Sequence, residues 1–377
     1  LRRRTRAGLW PSLGRSPASL VRMHGNSTME VAGENPNGAG LKRRVAGIYG
    51  LLGVANFSVW VWAFLALRGQ PLLLGTAALA YSFGLRHAVD ADHIAAIDNV
   101  TRKLMQDGQR PVTVGFCFAL GHSAVILLAT LLIAWTEKAA SGLSAFKAAG
   151  GMIATCVSAL FLFTIAAMNL MILRSVYQTF QRVKAGGVYV EEDLDILLSG
   201  RGLVARLLRP LFRLVSRSWH MALLGFLFGL GFDTATEVGL LGLSAAQAAH
   251  GVSVVTVLVF PALFAAGMAL VDTTDGVLML GAYEWAFVKP IRKLYYNMTI
   301  TLVSAVVAIA IGGIEALAMI ADELRLSGGF WDLCRALGAH FNVLGFLIIG
   351  LFLASWAGSW LVYRWQRLDE IEVLLPS

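Results

Sequence analysis

Two histidines and two aspartates fall within seven residues at His87, Asp90, Asp92 and His93, next to Arg86, inside an otherwise apolar run from about residue 72 to residue 97. Imidazole and carboxylate together suit borderline divalent ions such as nickel, cobalt and zinc. Magnesium and calcium prefer all-oxygen sites, and Cu(I) prefers sulfur. One charge near the centre of a membrane helix costs roughly 3 kcal/mol, so a bilayer-length run keeps such groups only if they are tightly paired or put to use. On a regular helix His87, Asp90, His93 and Asp98 share one face with Arg86 beside them, and Asp92 points nearly the other way. The plainer alternative is an ion-pair network around Arg86 with structural histidines. The density of ionisable groups favours a functional site.

Three further stretches place polar groups at membrane depth. His122 sits among small neighbours in Leu120-Gly121-His122-Ser123, where it is as readily a structural hydrogen bond as a ligand. Asp233 and Glu237 are four residues apart with Thr236 close by, so two carboxylates and a hydroxyl share a helix face. Asp272 and Asp275 lie on a stripe with Met268 and Met279, whose thioethers are expected to serve as packing. The seven carboxylates Asp90, Asp92, Asp98, Asp233, Glu237, Asp272 and Asp275 would together cost about 20 kcal/mol at roughly 3 kcal/mol each. A cation, protons or water in a cavity between helices makes that tolerable.

The elements that must position these groups are membrane helices. The chain of 377 residues is 57% hydrophobic and 14% charged, with a mean hydropathy of +0.68, whereas soluble domains are about a quarter charged. Eight runs reach the ~20 residues that span a bilayer, at about 46–67, 72–98, 113–135, 151–173, 220–243, 252–280, 298–320 and 341–363. Lysine and arginine divide 19 against 5 between the two sets of connections. The positive-inside rule therefore predicts both termini, the loop at 174–219 and the tail at 364–377 in the cytoplasm. Within that loop Arg206, Arg209, Arg213 and Arg217 share a face opposite leucines, the pattern of a helix lying on the anionic leaflet. Helices 2 and 3 run opposite to helices 5 and 6, and each pair carries two polar motifs, as an inverted repeat around a midplane site would.

Residues 1–45 read as a basic flexible tail with six arginines and no acid up to residue 29. That composition suits a transit peptide, but an extension upstream of a start at Met23 or Met29 is the simpler expectation. The net charge of +8 lies in loops and gives no nucleic-acid footprint. Cys117, Cys156 and Cys334 form no CxxC pair and read as apolar fillers.

The H-x4-D-H spacing of His87, Asp92 and His93, followed in order by Leu120-Gly121-His122-Ser123, by the segment from Leu230 to Glu237 and by that from Gly267 to Asp275, resembles the four motifs of the nickel/cobalt transporter (NiCoT) family. The likeness runs from about Ala46 to Glu370, and within the family it is nearest to the hydrogenase-linked high-affinity nickel permeases of bacteria. The resemblance implies high-affinity uptake of Ni2+, with Co2+ as competitor, across the bacterial inner membrane. It implies metal-binding roles for His87, Asp92 and His93, and by motif membership for His122, Asp233, Glu237, Asp272 and Asp275. Family members carry Val or Phe at the position of Val89, and Val leans toward nickel selectivity. A break or local unwinding of helix 2 would reconcile the family's Asp92 with the helix wheel's Asp90.

A divalent cation moving inward gains about 4.6 kcal/mol per 100 mV, and no P-loop pattern occurs. The expectation is thus a secondary transporter with no ATPase partner and no cofactor, in which the metal ion is substrate and the bilayer is solvent. Export on the same scaffold, an intramembrane metalloenzyme and a receptor or subunit of a larger complex are the alternatives. The enzyme reading is weakened by the absence of an HExxH motif.

Overall fold

The structure is a computed structural model that describes residues 36–135, 139–184, 215–230, 237, 240, 243–244, 246, 252–286 and 290–365. The described residues form helices and connections, with no strand among them. In order the helices are α1 (Pro36–Ala66), α2 (Pro71–His87), α3 (Ala91–Gln106), α4 (Val114–Trp135), α5 (Ala139–Lys184) and α6 (His220–Gly229). They continue with α7 (Val259–Ala286), α8 (Pro290–Glu323), α9 (Gly329–Gly338) and α10 (Phe341–Trp365), and a single turn, Val254–Val257, precedes α7. Among the described residues six helices are long and apolar enough to cross a membrane, and the bent pair α2–α3 makes a seventh candidate. Among the described residues the expected span at 220–243 is represented by α6 and by helical residues such as Glu237 and Leu240. α1 already begins at Pro36, inside the segment expected to be a tail. The amphipathic arginine stretch lies outside the described residues.

The expected single helix at 72–98 is broken, with a bend of 52° between α2 and α3. Asp90 takes the extended φ/ψ of an N-cap without a capping side-chain hydrogen bond, its carboxylate turning to His87, and Asp92 occupies the first turn of α3, where a carboxylate complements the helix dipole. The chain between α2 and α3 closes tightly, with Val89 N donating to Arg86 O at 3.1 Å and Asp90 N to His87 O at 2.9 Å. The break is braced from α10. A Cβ on Gly345 would lie 1.6 Å from the Val89 carbonyl oxygen, so only glycine lets α10 rest directly on the exposed backbone of the bend.

α3 is the axis of the molecule. Its residues from His93 to Leu104 are buried, although they include Asp98, Asn99, Arg102 and Lys103. Such a helix is stable at membrane depth only inside a jacket of other helices that satisfies its polar groups. One apolar cluster packs α3 against α4, α5 and α6, and another packs it against α5, α8 and α10. Phe57 of α1, Leu278 of α7 and Leu347 of α10 are instead more than half exposed, the disposition of lipid-facing side chains. α4 and α6 approach closest where Gly121 and Gly225 face backbone carbonyls. A Cβ at either position would come within 1.8 or 2.1 Å of the opposite chain, so small residues set how near His122 comes to the neighbouring segment.

Candidate metal site

The break in helix 2 brings together what a straight helix would hold apart. His87 closes α2, His93 follows in the first turn of α3, and α4 contributes His122. The ring centroids are 4.7 Å apart for His87–His93, 4.9 Å for His87–His122 and 4.8 Å for His93–His122. One nitrogen from each ring lies within 4.8 Å of the others, a spacing that can hold a metal ion. All three side chains are buried, at 2%, 0% and 3% exposure.

Each imidazole has its own carboxylate. His87 Nδ1 stands 2.9 Å from Asp90 Oδ2, His93 Nδ1 3.2 Å from Asp272 Oδ1, and His122 Nε2 2.8 Å from Glu237 Oε1. A carboxylate on one ring nitrogen fixes the tautomer and raises the basicity of the other nitrogen, which is how metal-ligating histidines are usually held. His93 Nε2 fits this pattern, being buried with no hydrogen-bond partner among the described residues. The Nε2 atoms of His87 and His122 are 3.0 Å apart. His122 Nε2 thus lies between Glu237 and His87, and His122 Nδ1 is buried with no hydrogen-bond partner among the described residues.

A cavity of about 420 Å3 reaches His87, His122, Asp90, Asp92 and Glu237. Its far wall is one face of α5, with Gly151, Thr155 and Ser158, and one face of α8, with Glu315, Met319 and Asp322. Asp322 and Glu323 at its outer end are exposed, and Glu315 is 7% exposed. Asp92 lines the cavity, and its buried Oδ1 has no partner among the described residues. Asp90 and Asp92 therefore both belong to the site region, Asp90 bonded to the His87 ring and Asp92 facing the cavity.

Other expected residues lie elsewhere. Asp98 does not join the histidine stripe. It accepts hydrogen bonds from Tyr283 and from Ser304 (2.8 Å), because the bend rotates α3 away from the register of α2. Arg86 does not form the expected ion pair. It is exposed on the cavity wall and makes no salt bridge among the described residues. Asp275 has a buried Oδ2 with no partner among the described residues and is not among the acids bonded to the three rings. Val89 packs in the apolar cluster of Ile94, Ile348 and Phe352. Met268 is core, as expected. Asp233 and Thr236 lie outside the described residues.

Sequence reasoning missed the layer beyond the imidazoles. Arg102, 1% exposed, donates to Thr301 Oγ1 at 2.9 Å and to Asn99 Oδ1 at 3.1 Å, and Asn169 donates to the same Asn99 oxygen at 2.8 Å. It missed Glu315 too, although a lone acid in the apolar run at 298–320 is the same signal that exposed the other carboxylates.

The chain matches, over residues 73–362, the protein family described as high-affinity nickel-transport protein. It is 57% identical to the high-affinity nickel transport protein of Cupriavidus necator over 91% of this chain and 98% of that one. It is 54% identical to the hydrogenase nickel incorporation protein HupN of Bradyrhizobium diazoefficiens, over 84% of this chain and 83% of that one. The cobalt transport protein NhlF of Rhodococcus rhodochrous is 38% identical over 84% of this chain and 92% of its own length. No solved structure matches.

Proposed function

This chain belongs to the high-affinity nickel-transport protein family, and from that premise we propose that it takes up Ni2+, with Co2+ as competitor, by secondary transport through the three-histidine site. It is a multi-pass membrane transporter and not an enzyme. The observation that carries the reading is the buried His87–His93–His122 cluster, of which His87 and His122 line a cavity, each ring backed by a carboxylate. Neutral imidazoles with anionic partners select borderline divalent ions over magnesium and calcium.

The distribution of basic residues supports eight spans with cytoplasmic termini in the bacterial inner membrane, the segment containing α6 and Glu237 being the eighth. In that frame the cavity opens at the extracytoplasmic end of α8, and residues 86–94 stand at its inner end. The layer of Asp98, Asn99, Arg102 and Thr301 closes the path beyond. The metal enters from outside, replaces its water with imidazole nitrogens, and leaves inward when that layer separates. The membrane potential supplies about 4.6 kcal/mol per 100 mV for the divalent charge.

Uptake of radioactive nickel by cells, competed with cobalt, zinc and magnesium and repeated with an uncoupler, tests this reading. Wild-type protein should accumulate nickel, cobalt should compete, magnesium should not, and the uncoupler should stop uptake. His87→Ala at equal protein level should accumulate none, and wild-type accumulation by that variant contradicts the ligand role.

A further inference from the structure

Besides Asp90, Asp92 and Glu237, the cavity is lined by a buried carboxyl group that belongs to none of the four motifs. Glu315 of α8 is 7% exposed, lines the cavity that reaches His87 and His122, and accepts a hydrogen bond from Ser158 Oγ of α5 at 3.0 Å. It stands seven residues, about 10 Å of helix rise, below the exposed Asp322 on the same face of α8. Opposite these helices the wall includes Asp92, whose buried Oδ1 has no partner among the described residues. An ion entering past Asp322 meets Glu315 as a buried carboxylate on the α8 face while the imidazoles still lie ahead.

We propose that Glu315, held by Ser158, is an entry ligand: it takes a partly hydrated divalent cation from the cavity mouth and holds it for transfer to His87 and His122. The proposal rests on the uptake reading above and assigns that site an approach station with a residue of its own. A carboxylate suits this step. It is a hard oxygen donor that exchanges with water readily and tolerates a cation still carrying water, whereas the three imidazoles require a stripped ion. The negative charge also raises the local concentration of cation in a cleft with low-dielectric walls. Such a station speeds loading at low metal concentration and leaves the turnover of the loaded site unchanged. The Ser158 bond fixes which way the carboxylate points, so Ser158 is a positioning residue.

The test is the concentration dependence of radioactive nickel uptake in cells, with protein level measured in the membrane. Glu315→Gln should raise KM about tenfold, the scale of losing one supporting carboxylate at a metal site, with the maximal rate within about twofold of wild type. Glu315→Asp should recover part of the loss. Ser158→Ala, which removes one hydroxyl, should raise KM by a smaller factor, and it decides the matter if Glu315→Gln fails to reach the membrane. An unchanged KM in Glu315→Gln, or in Ser158→Ala when only that variant is made, overturns the proposal, as does a fall in maximal rate at unchanged KM. If His87→Ala transports like wild type, the histidine site itself fails. If His87→Ala is inactive and Glu315→Gln keeps a wild-type KM, only the entry station fails.

Discussion

Replacing Asp272 by asparagine keeps the shape of the side chain and removes its charge, so it isolates what the carboxylate does for His93. Both Asp272 oxygens lie beside His93 Nδ1, at 3.2 and 3.3 Å, and both residues are 0% exposed. A divalent ion on Nε2 would stand about 7 Å from that carboxylate across the ring. At that separation the lost attraction is about 5 kcal/mol at an effective dielectric of 20 and about 1 kcal/mol at that of water. Loss of a carboxylate behind a ligating histidine typically costs about 10- to 100-fold in metal affinity, or roughly 1.4 to 2.7 kcal/mol, which falls between those limits. Isothermal titration of purified protein with nickel should therefore show a Kd raised about 10- to 100-fold, with one ion still bound per chain. Stability should change little, because the amide oxygen can still accept from Nδ1. A Kd equal to wild type in a folded Asp272→Asn protein refutes the claim that this carboxylate tunes a ligand.

Two other expectations rest on separate parts of the structure. Gly345→Ala would set a Cβ 1.6 Å from the Val89 carbonyl and should destabilise the protein by about 1 to 3 kcal/mol, the usual cost of overpacking. Gly350→Ala on the same helix meets nothing within 4 Å and should be neutral or slightly stabilising; equal thermal unfolding of the two variants in detergent would contradict the close contact at the break. Because imidazole binds a metal through an unprotonated nitrogen, and the rings of His87 and His122 are hydrogen-bonded to each other and to Asp90 and Glu237, nickel binding should release protons and weaken as pH falls. Calorimetry in buffers of different ionisation enthalpy measures the number released, and identical observed enthalpies would contradict that coupling.

Much of the site could be read from residue types because burying charge in a bilayer is costly. His87, His93 and His122 announced themselves as ionisable groups in apolar runs, and Glu237 and Asp272 did so as acids paired on helix faces. What the helix wheel could not supply was the break. It assumes one axis, so it set Asp98 beside the histidines and Asp92 opposite them. The 52° bend keeps Asp90 with His87, as the wheel had it, but turns Asp92 to the cavity and leaves Asp98 with Tyr283 and Ser304. Pairings across helices, such as His93 with Asp272 over 179 positions, depend on tertiary packing that no local pattern encodes. Arg86 misled for a related reason: a cation beside acids in sequence reads as their partner, yet at the end of α2 it faces the cavity and Asp90 is held by His87.

The central claim is that nickel is bound by the three imidazoles of His87, His93 and His122. X-ray absorption at the nickel edge on nickel-loaded purified protein tests it most directly, because imidazole rings scatter in a way that carboxylate and water do not. The account predicts a nitrogen- and oxygen-ligated ion with three imidazoles and no sulfur, losing one ring's contribution in each of His87→Ala, His93→Ala and His122→Ala. A spectrum with oxygen ligands alone, or one unchanged by these substitutions, would contradict it.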